Sequence, residues 1–230
     1  NKRFALVMDL GTSPEKKFSS NYQSGCLSFE FLYMNHKIIC NSGYFQKQNH
    51  QLNRISKSSA NHSTLIIDNR SSAKFKQNLS GVSIIDKGIK ILKKDFLFEK
   101  NYWNLNGSHD GYLKEYGIVH ERQLEFFFET FKLVGQDKLV KKRNFKSSNF
   151  EIRFHLLPSI KTTKTQDGKS VLIELENSGW RFYCNEHHIY IETGLYFGKK
   201  NSFAENQNIF ISGITQNEQQ IIKWEIEKIT

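Results

Sequence analysis

A base, an acid and a phenol fall within four residues in His109-Asp110-Gly111-Tyr112, a set able to move protons. On a β-strand, however, His109 and Asp110 point to opposite faces, which favours a structural turn or strand edge. His120 and Arg122 are two residues apart, as are Arg153 and His155, so each pair shares one strand face. Such pairs could line a basic groove for an acidic chain. The ordinary alternative is the polar outer face of an antiparallel sheet. Arg54 could hold a carboxylate through two parallel hydrogen bonds, or be a solvated loop arginine. His187-His188 lies beside a turn without a partner at metal-ligand spacing, and is expected to be exposed. Cys26, Cys40 and Cys184 are odd in number and far apart, which excludes a disulfide framework and a cysteine-rich zinc module. One pair could still oxidise.

Strands must carry these residues. The chain has 2 prolines in 230 residues, few helical patterns, and many runs with a two-residue period or rich in β-branched and aromatic side chains. Strands are expected at 4–10, 26–34, 37–40, 63–67, 89–98, 118–128, 150–156, 170–175, 180–184, 188–196, 208–212 and 220–228. Phe150, Ile152, Phe154 and Leu156 alternate with Glu151, Arg153 and His155. Ile222, Trp224 and Ile226 alternate likewise with Lys223, Glu225 and Glu227. One buried and one wet face marks an antiparallel sheet. Turn signals stand at Asn41-Ser42-Gly43, Asn106-Gly107, Asp167-Gly168 and Asn177-Ser178-Gly179. Phe126-Phe127-Phe128 reads as packing. Many short strands without crossover helices predict an all-β sandwich or barrel, in one domain over 1–230. Residues 46–60 are polar and unpatterned, a long surface loop of the kind often tied to function, and 161–169 reads as a hairpin connector. A strand so near the first residue, with neither initiator Met nor targeting segment, is expected of a piece cut from a longer protein.

Lys+Arg 33 against Asp+Glu 23 leaves a formal net charge of +10, with a pI near 9.4. Nucleic acid, membrane surfaces and acidic polymers all attract such a chain. The charge is scattered, though. Lys93-Lys94 and Lys141-Lys142-Arg143 are the short clusters, below the five or more like charges typical of a nucleic-acid arm. Lysines far outnumber the seven arginines, a bias that codon composition also produces. No apolar run of about 18 residues exists, so no membrane-spanning helix is expected. A chain of 27.0 kDa can hide roughly 70% of its unfolded surface, enough for a complete core.

Several stretches together resemble the carboxy-terminal β-sandwich of heparinase II/III-like polysaccharide lyases, most closely the alphaproteobacterial branch. They are Gly25-Cys26-Leu27-Ser28-Phe29-Glu30-Phe31, then Ile38-Ile39-Cys40-Asn41-Ser42-Gly43, then Ser58-Ser59-Ala60-Asn61-His62-Ser63-Thr64-Leu65. Further along come Ser108-His109-Asp110-Gly111-Tyr112, Val119-His120-Glu121-Arg122-Gln123-Leu124, Arg153-Phe154-His155-Leu156-Leu157-Pro158, Gly179-Trp180-Arg181-Phe182 and the closing Trp224 strand. The resemblance implies an antiparallel, supersandwich-like fold, preceded in such enzymes by an α/α toroid that this chain lacks. It implies cleavage of uronate-bearing polysaccharides by β-elimination, in a cleft between toroid and sandwich. That reaction needs the uronate carboxylate neutralised, a base for the C5 proton and an acid for the leaving oxygen.

The resemblance carries over unevenly. His62 matches the histidine of the family's Ala-His-Asn/Ser-Thr signature, a zinc ligand in metal-bearing members. Here it would hydrogen-bond substrate or anchor Gln23, unless it only caps a strand end. The family's His-x-His falls on Asn21-Tyr22-Gln23, and its ligating Asp falls on Asn41. Amides are poor zinc donors, so no tightly bound zinc is expected. His62 and Gln23 are thus the candidate catalytic residues, and Arg54, Asn21, Asn41, His120 and Arg122 the candidate substrate-binding ones. The implied partners are an anionic polysaccharide and the chain's own toroid, with no nucleic acid and no membrane insertion. The implied location is the periplasm or envelope of a Gram-negative bacterium. A non-catalytic glycan-binding member of the same family is the competing reading. A nucleic-acid-binding β-domain, drawing only on the pI, is a third.

Overall fold

A computed structural model describes residues 3–143 and 146–230. Among them the strands run β1 (Phe4–Met8), β2 (Phe29–Tyr33), β3 (His36–Ile39), β4 (Leu65–Ile67), β5 (Lys74–Gln77) and β6 (Ser83–Lys87). Then follow β7 (Ile91–Phe98), β8 (Tyr102–His109), β9 (Ile118–Phe127), β10 (Lys132–Lys141), β11 (Asn149–His155) and β12 (Lys161–Lys164). The last are β13 (Ser170–Leu175), β14 (Ser178–Tyr183), β15 (Ile189–Tyr196), β16 (Ala204–Ile214) and β17 (Gln219–Lys228). Two short helices, α1 (Gln51–Ser56) and α2 (Leu113–Tyr116), interrupt them.

One layer is an eight-stranded sheet ordered β12-β13-β14-β17-β10-β9-β8-β7. The other joins a three-stranded sheet, β1-β2-β3, to a four-stranded one, β15-β16-β11-β4. The join is a bridge between Cys40 and His155, where Cys40 N–H donates to the His155 carbonyl at 2.9 Å. Named strands pair antiparallel, and neither layer closes into a barrel. The fold is an antiparallel β-sandwich. No helix among the described residues is long and apolar enough to cross a membrane.

Trp224 at the middle of β17 shows how the layers meet. Its ring stacks on Phe29 of β2 at 5.4 Å and meets Phe154 of β11 edge-on at 4.7 Å. Burying one such large side chain stabilises the fold by about 2–3 kcal/mol. Room for the indole comes from Gly135 of β10, where an added Cβ would lie 2.0 Å from the ring. The expected alternation holds in β17, with Ile222, Trp224 and Ile226 fully buried. In β11, Glu151 and Arg153 lie half-buried on the outer face, whereas His155 is buried beneath the loops that cover its end of the strand.

Three expectations need correction. Asn106-Gly107 is not a turn but lies inside β8, where glycine admits the Leu10 and Leu27 side chains close to the backbone. Polar β8 and β10 are full strands, because Asn106 faces out while Asp137 finds buried partners. Residues 46–60 are no loose loop: they hold α1 and a 3-10 turn at Ser59–Asn61. Within that segment Asn53, Ser56 and Lys57 are buried. The Lys57 ammonium donates to the carbonyls of Ser20 and Ser83 and sits over the Phe75 ring, and burial pushes it down to about 8.

Candidate functional site

The turn at Ser59–Asn61 delivers His62 in extended conformation to the entrance of β4. Side-chain hydroxyls fix this entrance. Ser63 Oγ donates to the Cys40 carbonyl at 2.6 Å and accepts from His155 N–H, and Thr64 Oγ1 donates to the Cys26 carbonyl at 2.9 Å. Asn61 Nδ2 donates to the Ile55 carbonyl at 2.7 Å, tying the turn back to α1. His62 is buried at 5% exposure, and its ring lies against the backbone of Gly25. A Cβ at position 25 would come within 2.9 Å of Nδ1. Nε2 is buried without a hydrogen-bond partner, and burial pushes the ring down to about 4. His62 is therefore neutral near pH 7.

Segment 21–25 runs alongside, with Ser24 N–H donating to the Lys57 carbonyl at 2.8 Å. Gln23 is half-buried and Asn21 exposed. Asn21 Oδ1 accepts from the Tyr44 hydroxyl at 3.4 Å, and that hydroxyl accepts from Asn53 Nδ2 at 2.9 Å. Asn41 Oδ1 accepts the Ser63 N–H at 2.9 Å, so this amide is engaged in joining two loops. His155 is buried beside it, with Nδ1 2.8 Å from Ser42 Oγ. Burial, then the neighbouring His62 and Arg153, pushes His155 down to about 3.

Behind the site lies a buried polar chain. Gly111 N–H donates to His109 Nδ1 at 3.0 Å, which leaves the proton of a neutral His109 on Nε2. That nitrogen lies 3.3 Å from His120 Nδ1, so His120 carries its proton on Nε2, 2.6 Å from Asp137 Oδ1. Burial holds both imidazoles below their ordinary range. Arg122 grips Asp137 with two bonds, Nε to Oδ1 at 2.8 Å and Nη2 to Oδ2 at 3.1 Å. Trp224 Nε1 also donates to Oδ2, at 2.9 Å. Burial alone would raise Asp137, but the Arg122 charge and the His120 hydrogen bond hold it well below the usual carboxylate range. Arg122 Nη1 reaches out of the sheet to the carbonyls of Leu27 at 2.8 Å and Ser63 at 2.6 Å.

The sequence matches, over residues 1–225, the family model described as heparinase II/III-like, C-terminal. The chain belongs to this family. Its fold is similar to that of the heparan sulfate lyase HepC from Pedobacter heparinus, with a TM-score of 0.78 and 13% identity over 98% of this chain and 33% of that one. A heparinase III with methylated lysines gives 0.73 and 14% over 100% of this chain and 35% of the other. Another heparinase III gives 0.72 and 14% over 98% and 33%. The chain thus spans about a third of these proteins' length, and at such identity the likeness is one of fold. Compared with curated proteins, the sequence matches none.

In this heparinase-like domain the site residues divide sharply. His62, Gln23, Asn21 and Asn41 lie on neighbouring segments, and Arg54 is exposed on α1 close by in sequence. His120 and Arg122 do not line a groove. Both are fully buried on the inner face of β9, the face of Leu124 and Phe126. Residue parity carries the signal: 120, 122, 124 and 126 share one face, and two of them are large apolar side chains. His109 is buried at the end of β8, and Asp110 ties back to the residue before β7, accepting Lys90 N–H at 2.7 Å. His188 is exposed, whereas His187 is half-buried against Phe150. The three cysteines are buried and free. Tyr44 and Asn53 escaped notice because they follow a turn signal and lie in a polar run. As zinc donors the family positions offer one imidazole and three amides, with Asn41 already engaged by Ser63 N–H. That set does not fit the metal.

Proposed function

We propose that the full protein is a polysaccharide lyase that cleaves a uronate-bearing anionic glycan by β-elimination, and that this sandwich supplies one wall of its cleft. The family match over nearly the whole chain carries the reading. The groups available to a glycan at this wall are Asn21, Gln23, Tyr44 and Arg54, amide, phenol and guanidinium. Arg54 and the amides suit a uronate carboxylate, whose neutralisation acidifies the C5 proton. His62, buried and neutral with its ring on Gly25, serves as the anchor that holds the Gln23 segment. We propose further that no zinc takes part, and that the protein works in the periplasm or envelope of a Gram-negative bacterium. The test is to give the full-length protein uronate polymers and follow the absorbance of the unsaturated product. Folded protein with no signal on any of them would sink the enzymatic reading.

One observation favours a non-catalytic, glycan-binding member of the family: the Nε2 of His62 is buried and Asn41 Oδ1 is taken by Ser63 N–H, so neither atom is open to a substrate. Under that reading, glycan retention persists while no polymer is cut.

A further inference from the structure

We infer that Arg122 is a positioning residue of the candidate site, a clamp that holds the turn after Gln23 against the segment bearing His62. The inference rests on the site reading above, and deepens it.

Arg122 is fully buried and cannot touch a glycan, so any effect on the site passes through what it holds. Two edges of its guanidinium are taken by Asp137. The third nitrogen, Nη1, binds two carbonyls from different segments. Leu27 belongs to the tight turn closed by Ser28 N–H donating to the Gly25 carbonyl at 2.8 Å. Its φ of 58° lies in the left-handed region, an unfavourable place for leucine that the surrounding contacts must hold. Ser63 follows His62 directly. Two residues before Leu27, Gly25 meets the ring of His62, the residue before Ser63, with no space to spare. Arg122 thus sets, from the opposite layer, the spacing of the two segments that carry Gln23 and His62. Asp137 holds the guanidinium still, being itself fixed by His120 and Trp224. A planar fork of donors can serve a carboxylate and two carbonyls at once; an ammonium on a flexible stem cannot.

The experiment compares the full-length wild type with Arg122→Lys, which keeps a cation beside Asp137. The variant is expected to melt cooperatively, and its turnover at saturating uronate polymer to fall about tenfold, with KM unchanged within about threefold. The ring resonances of His62 are expected to shift, while those of exposed His188 stay in place. Wild-type turnover with an unmoved His62 overturns the inference. So does a variant whose whole loss lies in melting temperature, with activity intact below the melt. If Arg122→Lys does not fold, Asp137→Glu carries the same readouts, because its extra methylene pushes the guanidinium off both carbonyls. Wild type that makes no unsaturated product refutes the lyase reading instead, and the His62 resonances alone then decide the clamp.

Discussion

Acid should unfold this sandwich early, and His62 and His155 set the magnitude. In the folded chain burial holds His62 at about 4 and His155 at about 3, against about 6.5 for an unfolded histidine. Both folded values are depressed, so between pH 6.5 and 4 the unfolded chain binds protons that the folded chain refuses. Stability therefore falls as pH falls through that window. Each ring contributes up to about 1.4 kcal/mol per pH unit. From pH 7 to pH 5 the loss is about 2 kcal/mol per ring, or about 4 for the pair. His109 and His120, also held down by burial, act in the same direction. Against a total of about 5–15 kcal/mol, such losses bring the folded state close to its limit. Urea unfolding measured between pH 5 and 7, above the carboxylate range, reads this slope. His62→Gln should flatten it by about one proton, whatever the substitution costs at pH 7. A variant slope equal to that of wild type would refute the argument, since His62 would then ionise alike folded and unfolded.

Three further outcomes follow from the same contacts. Asp137→Asn leaves the buried Arg122 charge without its counter-ion and should cost about 3–5 kcal/mol in urea unfolding. Gly25→Ala puts a methyl 2.9 Å from His62 Nδ1 and 3.2 Å from Ser28 Oγ; a loss of about 1–3 kcal/mol is expected, visible as a lowered melting temperature. Arg54→Ala, at an exposed position of α1, should leave stability within about 0.5 kcal/mol. The same variant should elute from heparin at lower salt than wild type; unchanged elution would remove Arg54 from the proposed glycan wall.

Alternation in 150–156 and 220–228 is enough to predict an antiparallel sheet, and the structure buries Phe150, Ile152, Phe154, Ile222, Trp224 and Ile226 as that pattern requires. Gly43 and Gly168 of two signalled turns have φ of 82° and 70°, values that glycine tolerates and other residues rarely adopt. The segments that the motif around His62 groups, 21–25, 41–44 and 57–63, lie together in the fold. Polarity misleads elsewhere. Asn106-Gly107 looks like a turn because the dipeptide favours one, yet two flanking strands and the Leu10 and Leu27 side chains hold it straight in β8.

The amino-acid sequence by itself determined the strand periodicity and the all-β class, because these depend on short-range alternation and turn chemistry. The choice of sandwich over barrel and the grouping of segments around His62 came from the family resemblance. Tertiary structure alone decided which polar side chains face solvent. Arg122 and Asp137 sit 15 residues apart, and Arg122 donates to carbonyls 95 and 59 residues away. A buried charge is stable only when such distant partners converge on it, and no local pattern records that convergence. Lys57 shows the same thing in the segment that reads as a loop, where carbonyls of Ser20 and Ser83 let a lysine go inside.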